Sequence, residues 1–183
     1  MYTITKYFDF EYAHRVYTQN VDEKLSGGDV ENSCRRVHGH SGKLEVTLGS
    51  ESLDERGFVM DYKEMGFIKK FIAQYLDHRT ILGIDDPLWD LFSDKFNLFA
   101  DKTTQPTIFP HFVKVITDSD EEVVKQLADS LTLVAAVPTS EVLANLIQSD
   151  IGLYLFRSLP FIKVMSVGWS ETEKSIARYM PSC

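Results

Sequence analysis

Cysteine is scarce in this chain, which has two, Cys34 and Cys183, among 183 residues. Two cysteines cannot form a disulfide framework, so we expect a protein of the reducing cytoplasm. The chain also lacks any run near the ~18 consecutive apolar residues that a membrane-spanning helix needs. Its N-terminus has no basic region followed by an apolar stretch, so we predict no secretory signal.

Positive charge is also in short supply, with 19 Lys and Arg against 27 Asp and Glu and a net charge of −8. This balance argues against general binding to nucleic acids or to anionic membranes, since both need a basic surface. Glycine (10) and proline (6) are too few for a collagen-like or disordered chain, and 44% of the residues are hydrophobic. We therefore predict one globular domain over residues 1–183.

Alternating apolar and polar residues predict the strands of this domain. Such alternation occurs at residues 3–13 and 43–48, and a further short strand at 57–60 is expected to form an antiparallel hairpin with 43–48. A last strand is expected at 161–169. The polar segment 18–33 is predicted to be a loop, and a loop of that length is more often functional than idle.

Helical spacing of apolar residues predicts two main helices. The first covers residues 65–76, and the second begins after Pro138 with Thr139 or Ser140 as its N-cap. The stretch between them, 83–132, is expected to be an insertion.

Within the insertion we expect a short helix at 88–92, a turn or helix start at 118–122, and a strand pair formed by 107–117 and 131–137. The order of elements indicates an α+β fold with antiparallel strands.

The most specific chemical feature is the sequence C-R-R-V-H-G-H at residues 34–40. On an extended strand, residues i and i+2 face the same side, so His38 and His40 can present two imidazoles together. His14, at the end of the first predicted strand, is a candidate third ligand. Three histidine nitrogens leave a fourth position for water or substrate, which is the arrangement of catalytic zinc sites.

Cys34 has two candidate roles beside these histidines. It could be a fourth ligand that closes a structural zinc site, or a nearby thiolate that acts as base or nucleophile, because cationic neighbours favour its ionised form. A simpler interpretation also stays open, in which H-x-H is a polar turn and Cys34 is a small buried hydrophobe.

Three further segments carry carboxylates or imidazoles. Asp77 and His78 close the first predicted helix, either as a charged helix end or as a pair whose carboxylate orients the imidazole for proton transfer. Residues 138–141 (P-T-S-E) are typical of a helix N-terminus. Glu171 either ends a solvated strand or accepts two hydrogen bonds from the guanidine-like edge of an aminopyrimidinone.

Together these segments resemble the family of 6-pyruvoyltetrahydropterin and 6-carboxytetrahydropterin synthases. Six matching pieces occur in the order of that family and cover most of the chain outside 83–132. They are F-x-F-x-x-A-H (Phe8, Phe10, Ala13, His14), C-x3-H-G-H (34–40), G-x-V-x-D (Gly57, Val59, Asp61), L-D-H (76–78), P-T-S-E (138–141) and E-T (171–172).

The resemblance implies an α+β tunnelling fold, in which an antiparallel four-stranded sheet is backed by two helices. Here that fold would carry the insertion at 83–132. Subunits of this kind assemble into a barrel-like homotrimer, often paired as a homohexamer. The resemblance also implies a Zn²⁺ cofactor held by His14, His38 and His40.

The substrate that the resemblance implies is 7,8-dihydroneopterin triphosphate, a small-molecule pterin whose side-chain hydroxyls approach the metal. Zinc would acidify the C–H bonds next to those hydroxyls. Cys34 would act as the general base, with His78 as its relay partner and Asp77 orienting that imidazole. Triphosphate would then be eliminated.

The resemblance also implies contacts to both ends of the substrate. Glu171 would anchor the pterin ring, helped by the backbone near Thr139 and Glu141. The triphosphate needs positive partners, and Arg35 is a candidate because basic residues cluster in the sequence around the expected site. We expect a basic rim formed by Arg15, Arg35, Arg36, Lys43 and Arg79.

The C-x3-H spacing that begins at Cys34 is that of the bacterial carboxy-forming branch, which feeds 7-deazaguanine (queuosine) synthesis and also releases acetaldehyde. Another branch has glutamate three residues before the first histidine, where this chain has Arg35. The chain departs from the family at 82–83, where L-G replaces a common L-N, and at Val137 in place of Asn. A biopterin-type 6-pyruvoyl enzyme, a zinc hydrolase and a structural zinc module are the alternatives.

Overall fold

The structure is a computed structural model that describes residues 1–101 and 108–181, so that Cys183 lies outside the described residues. Across those ranges, no helix combines the length and the apolar character needed to cross a membrane. Its helices and strands are β1 (Tyr2–His14), β2 (His38–Ser50), α1 (Gly66–Tyr75), β3 (Arg79–Gly83), α2 (Pro87–Phe96), β4 (Leu98–Ala100), β5 (Phe112–Thr117), α3 (Glu122–Asp129), β6 (Leu131–Val134), α4 (Ser140–Ser158), β7 (Lys163–Thr172) and β8 (Ser175–Tyr179).

The described strands form one sheet in the order β4-β5-β6-β3-β1-β2-β7-β8. Strands β1, β2, β7 and β8 are antiparallel neighbours. Buried side chains of β1, β2 and β7 share one hydrophobic core with those of α1 and α4. This half is the four-stranded sheet backed by two helices that the family resemblance implies, and the α+β class is confirmed.

The other half of the sheet makes it mixed. β3 runs parallel to the last three residues of β1, and β6 runs parallel to β3. β5 and β4 continue antiparallel beyond β6. A second cluster of buried side chains, which includes Leu82, Trp89 and Leu133, packs this half together. The segment predicted as an insertion therefore extends the sheet and has a core of its own.

The predicted elements of that segment are present with longer or shorter bounds. The helix expected at 88–92 is α2, whose N-cap Asp86 accepts a hydrogen bond of 2.8 Å from the Leu88 N–H. The expected strand pair is β5 with β6, and it is antiparallel. Residues 102–107, where the first of these strands was expected to begin at Thr107, lie outside the described part of the chain.

The predicted hairpin between 43–48 and 57–60 is wrong. β2 pairs with β1 along one edge and with β7 along the other, over most of the same residues. Because both edges are used, residues 57–60 have no edge to join and form bends and irregular backbone instead. Val59 and Met60 are nevertheless buried, and their apolar side chains account for the misleading pattern.

Alternation along β1 and β2 builds the core beneath the sheet. Phe8, Phe10 and Tyr12 of β1 are buried, and the residues between them point to the opposite face. Gly42 of β2 lies opposite Phe10 in the ladder. A Cβ at Gly42 would lie 2.8 Å from Cε1 of Tyr12 and 2.9 Å from two ring atoms of Phe10. Glycine is therefore required if these rings are to keep their positions.

We predict that Gly42→Ala lowers the free energy of unfolding by about 1–3 kcal/mol, as overpacking does in a dense core. Urea titration would measure this change. Gly66→Ala is the matched control, because a Cβ at Gly66 meets nothing within 4 Å and alanine is favoured over glycine in a helix. Equal losses of stability in the two variants would contradict the steric explanation.

A buried carboxyl group of α4 contacts a histidine that directly precedes β5. The Asp150 side chain is 1% exposed, and its Oδ1 lies 2.5 Å from Nδ1 of His111. Burial raises the pKa of Asp150 to about 6, although the contacts with His111 oppose this shift. The folded chain therefore favours the neutral carboxyl more strongly than the unfolded chain does.

We predict a pH dependence that belongs to Asp150 alone. A carboxyl whose pKa is raised on folding stabilises the fold below its unfolded pKa of about 3.9, and this contribution is lost as the pH rises toward about 6. In the unmodified protein this carboxyl should lower the free energy of unfolding by about 1–2 kcal/mol as the pH rises between these limits, and Asp150→Asn should abolish that decrease. Asparagine keeps an oxygen for His111. Urea titrations between about pH 4 and pH 6 would measure the free energy of unfolding of both proteins, and the same dependence on pH in the two would contradict the prediction.

Candidate metal centre

Three histidines meet where β1 ends and β2 begins. The ladder pairs His14 with His38, and His40 follows two residues later on the same side of β2. One ring nitrogen from each imidazole belongs to a group whose members all lie within 4.8 Å of one another. Nε2 of His14 is 3.2 Å from Nε2 of His40. The predicted trio is therefore brought together by strand pairing.

Backbone carbonyls orient two of these rings. Nδ1 of His14 lies 2.8 Å from the carbonyl oxygen of Pro138, and Nδ1 of His38 lies 2.8 Å from that of Arg36. A carbonyl oxygen can only accept, so each Nδ1 carries the donated proton. In the neutral ring this leaves the Nε2 lone pair free, as a metal ligand requires.

The spacing of the His14 and His40 nitrogens fits a tetrahedral metal such as zinc. Ligands at zinc–nitrogen distances of about 2.0–2.1 Å stand roughly 3.3–3.4 Å apart in a tetrahedron, close to the 3.2 Å between His14 and His40. Burial lowers the pKa of both His14 and His40. Their rings are thus held in the neutral form, which is the form that binds a metal.

Two aromatic side chains, Tyr12 and Trp169, lie on the core side of the three histidines. The indole N–H of Trp169 donates a hydrogen bond of 2.8 Å to the hydroxyl of Tyr12. The ring centroid of Tyr12 lies 5.4 Å from that of His14 and 5.5 Å from that of His40. Burial raises the pKa of Tyr12 well above its usual value, so the Tyr12 hydroxyl stays uncharged. Sequence reasoning missed Tyr12, although alternation places it on the same face as His14.

Glu171 reaches the trio from β7. Its Oε1 lies 3.6 Å from Nε2 of His14, and its Oε2 lies 3.9 Å from Nε2 of His40. The Ser140 hydroxyl donates a hydrogen bond of 2.7 Å to Glu171 Oε1. Sequence reasoning chose the flanking Thr139 and Glu141 and missed Ser140, whose place in the P-T-S-E motif was the available signal.

Thr139 and Glu141 occupy the start of α4. Thr139 is the N-cap, and its side chain accepts from the Val142 N–H at 3.3 Å. Glu141 lies in the first turn and is exposed. Both flank Ser140, so the P-T-S-E and E-T motifs adjoin in space through the hydrogen bond between Ser140 and Glu171.

A cleft of about 410 Å³ opens beside the trio, and both His40 and His78 line it. Nδ1 of His78 lies 3.1 Å from Oδ1 of Asp77, as the predicted pair requires. The same Oδ1 accepts from the Glu11 N–H at 3.0 Å, and the His78 N–H donates to the Glu11 carbonyl at 2.6 Å. These bonds hold His78 at a φ of 59° on the cleft wall.

Cys34 lies in a short 3₁₀ turn (Ser33–Arg35) before β2 and is half-buried. Its N–H donates to the Gln19 side chain at 2.9 Å, and its carbonyl accepts from the Val16 N–H at 2.7 Å. Among the described residues, the grouped metal-ligand atoms are those of the three histidines and exclude Cys34. This arrangement disfavours the structural zinc module in which Cys34 closes the site.

The basic residues expected around the site already have partners. Arg35 is exposed, and its Nε donates to the Gln19 carbonyl at 2.6 Å. Nε of Arg15 lies 3.2 Å from Oδ2 of the fully buried Asp86. The other members of the expected rim are paired with carboxylates, namely Arg36 with Glu31, Lys43 with Asp9 and Arg79 with Asp129. A triphosphate would therefore compete with these acidic groups.

Comparison with known sequences gives a consistent result. Residues 3–182 match the sequence profile of the family described as 6-pyruvoyl tetrahydropterin synthase. The 6-carboxy-5,6,7,8-tetrahydropterin synthase of Aquifex aeolicus is 35% identical over 111 residues, which cover 58% of this chain and 66% of that protein. The protein of the same name from Synechocystis is 32% identical over 95 residues, or 48% of this chain and 65% of that protein. Each match thus spans slightly less than two thirds of the relative.

Solved structures share the fold. An uncharacterised protein from Wolinella succinogenes is 36% identical and superposes with a TM-score of 0.83, covering 99% of this chain and 98% of that one. The 6-pyruvoyl tetrahydropterin synthase of Caenorhabditis elegans is 19% identical and superposes with a TM-score of 0.52, covering 99% and 96%. The second likeness concerns the fold alone.

We predict that His38→Ala lowers the affinity for Zn²⁺ by about 100-fold or more, because it removes one of three clustered ligands. Competition with a chromophoric chelator would measure the affinity. His111→Asn is the matched control, since His111 lies outside the trio and asparagine keeps a donor for Asp150. Unchanged zinc affinity in the His38 variant would contradict the assignment.

Proposed function

The chain belongs to the 6-pyruvoyl tetrahydropterin synthase family, and from that premise we propose that it is a lyase of the carboxy-forming branch. It would convert 7,8-dihydroneopterin triphosphate and water into 6-carboxy-5,6,7,8-tetrahydropterin, acetaldehyde and triphosphate. The observation that carries this proposal is the histidine trio with the Glu171 carboxylate beside it. The names of the Aquifex and Synechocystis relatives and the C-x3-H spacing at Cys34 favour this branch.

Zinc is the proposed cofactor, and His14, His38 and His40 would hold it. When bound, it would supply Lewis acidity that polarises the side-chain oxygens of the pterin and acidifies the neighbouring C–H bonds. Three neutral imidazoles leave its charge largely uncompensated, which favours this chemistry. The buried Tyr12 on the core side of the trio would limit access of water from beneath.

Cys34 is the proposed general base, and the relay would lie across the cleft. The Cys34 thiolate would take a proton from the substrate side chain, and His78 would pass that proton on. Asp77 holds Nδ1 of His78 at 3.1 Å, which leaves Nε2 of that ring available for proton transfer. His78 lines the same cleft as His40, which supports its role as the relay.

Substrate recognition would use both the ring and the phosphates. Glu171 would accept hydrogen bonds from the aminopyrimidinone edge of the pterin, and Thr139 and Glu141 would contact the ring from the start of α4. Arg35 would contribute to triphosphate binding by leaving its present bond with the Gln19 carbonyl. Charge-assisted bonds to phosphate are strong enough to replace a single neutral hydrogen bond.

We also propose that the subunit is a single domain and works as a homo-oligomer, a trimer or a hexamer. In the described part of the chain, β1 has a strand partner on both edges only at its last three residues, so residues 2–10 have a second edge without a strand partner. β8 likewise pairs on one side, with β7. Such edges favour pairing with strands of another copy.

The test is the product formed by zinc-loaded protein from 7,8-dihydroneopterin triphosphate. We predict 6-carboxytetrahydropterin and acetaldehyde by mass spectrometry, with the rate reduced at least about 100-fold in Cys34→Ala, as loss of a general base implies. Ser33→Ala, an exposed neighbour in the same turn, is the matched control and should retain activity. 6-Pyruvoyltetrahydropterin as the product would assign the protein to the biopterin type, and absence of turnover with zinc bound would refute the proposal.

A further inference from the structure

We infer that Glu171 is a fourth, exchangeable ligand of the metal that the three histidines hold, and that a pterin ring displaces it. The inference rests on the proposed function, because it takes the same site as a metal and pterin site. It departs from a simple three-histidine centre, in which the fourth position would belong to water or substrate throughout.

Both carboxylate oxygens of Glu171 lie close to histidine nitrogens of the trio. Oε1 of Glu171 lies 3.6 Å from Nε2 of His14, and Oε2 lies 3.9 Å from Nε2 of His40. Those two nitrogens are 3.2 Å apart. The carboxylate thus faces the edge between two ligands. Both oxygen–nitrogen distances are within a few tenths of an ångström of the roughly 3.3–3.5 Å that separates neighbouring ligands in a tetrahedral zinc shell.

The Glu171 carboxylate is held in place by a hydrogen bond. The Ser140 hydroxyl donates to Glu171 Oε1 at 2.7 Å, and Ser140 is the first residue of α4. Two residues earlier, the carbonyl of Pro138 accepts from Nδ1 of His14. One turn of the chain, residues 138–140, therefore orients both a histidine ligand and the carboxylate.

The charge of the site also favours an anionic fourth ligand. Three neutral imidazoles around a divalent cation leave a net charge of +2, and a carboxylate beside them reduces it to +1. Glu171 is partly buried, with 27% of its side chain exposed, so its attraction to the cation is screened less than that of a surface carboxylate. The same group is the acceptor that an aminopyrimidinone edge requires. Metal and pterin would therefore compete for one carboxylate, and pterin binding would open the fourth position only when substrate is present.

The test uses cobalt, which replaces zinc and reports its coordination through visible absorption. We expect Glu171→Gln to bind Co²⁺ at least 10-fold more weakly than the unmodified protein and to show a different Co²⁺ spectrum. Glu173→Gln is the matched control, since it removes an exposed carboxylate two residues away. Ser140→Ala keeps the carboxylate but removes its hydroxyl partner, and a smaller shift in the same direction is expected; Ser140→Thr should restore the spectrum.

A second arm of the experiment adds 2-amino-4-oxopteridine, a pterin without the side chain that would approach the metal. We expect it to move the Co²⁺ spectrum of the unmodified protein toward that of Glu171→Gln, and to leave the spectrum of Glu171→Gln unchanged. Identical Co²⁺ affinity and spectra for Glu171→Gln and the unmodified protein would overturn the inference, as would equal pterin responses in both.

The two proposals fail in different ways. If Glu171 is not a ligand, the spectra of the Glu171 variant and the unmodified protein coincide while the unmodified protein still forms 6-carboxytetrahydropterin. If the proposed reaction is wrong, that product is absent while the spectra still separate the Glu171 variant from the Glu173 control.

Discussion

The antiparallel register of β1 and β2 is the constraint on which the rest of the molecule depends. The ladder runs without a break from Tyr2 opposite Ser50 to His14 opposite His38. A slip of one residue would turn every side chain of one strand to the other face, so the aromatic core and the histidine cluster would be lost together. The rings packed over Gly42 specify the register, and the register places the ligands.

Local patterns predicted the parts of this protein that depend on neighbours in the sequence. The period of two along H-G-H placed His38 and His40 on one face, and the cap at Thr139 predicted where α4 begins. Contacts between distant segments were beyond such patterns. The bond between Ser140 and Glu171 joins residues 31 apart, and the parallel pairing of β3 with β1 leaves no periodic signal. The false hairpin shows the same limit, because alternation predicts a strand without naming its partner.

The start of α4 is where the two halves of the site are joined. The carbonyl of Pro138 orients the ring of His14, and the hydroxyl of Ser140 orients the carboxylate of Glu171. Helix N-termini are anchored by their caps, here by Thr139, so the cap and both contacts restrain the same turn. Burial then keeps His14 neutral, and a rigid neutral ligand beside a fixed carboxylate needs little rearrangement to receive a cation.

Arg15 directly follows His14 and forms an ion pair with Asp86, which lies between β3 and α2. Asp86 is fully buried, and removing one partner of a buried pair costs about 3–5 kcal/mol because the other charge is left uncompensated. The segment 83–132 is therefore not an appendage that could be cut away by itself. A shortened variant without the segment would therefore need an uncharged residue in place of Arg15, whose partner Asp86 would be gone.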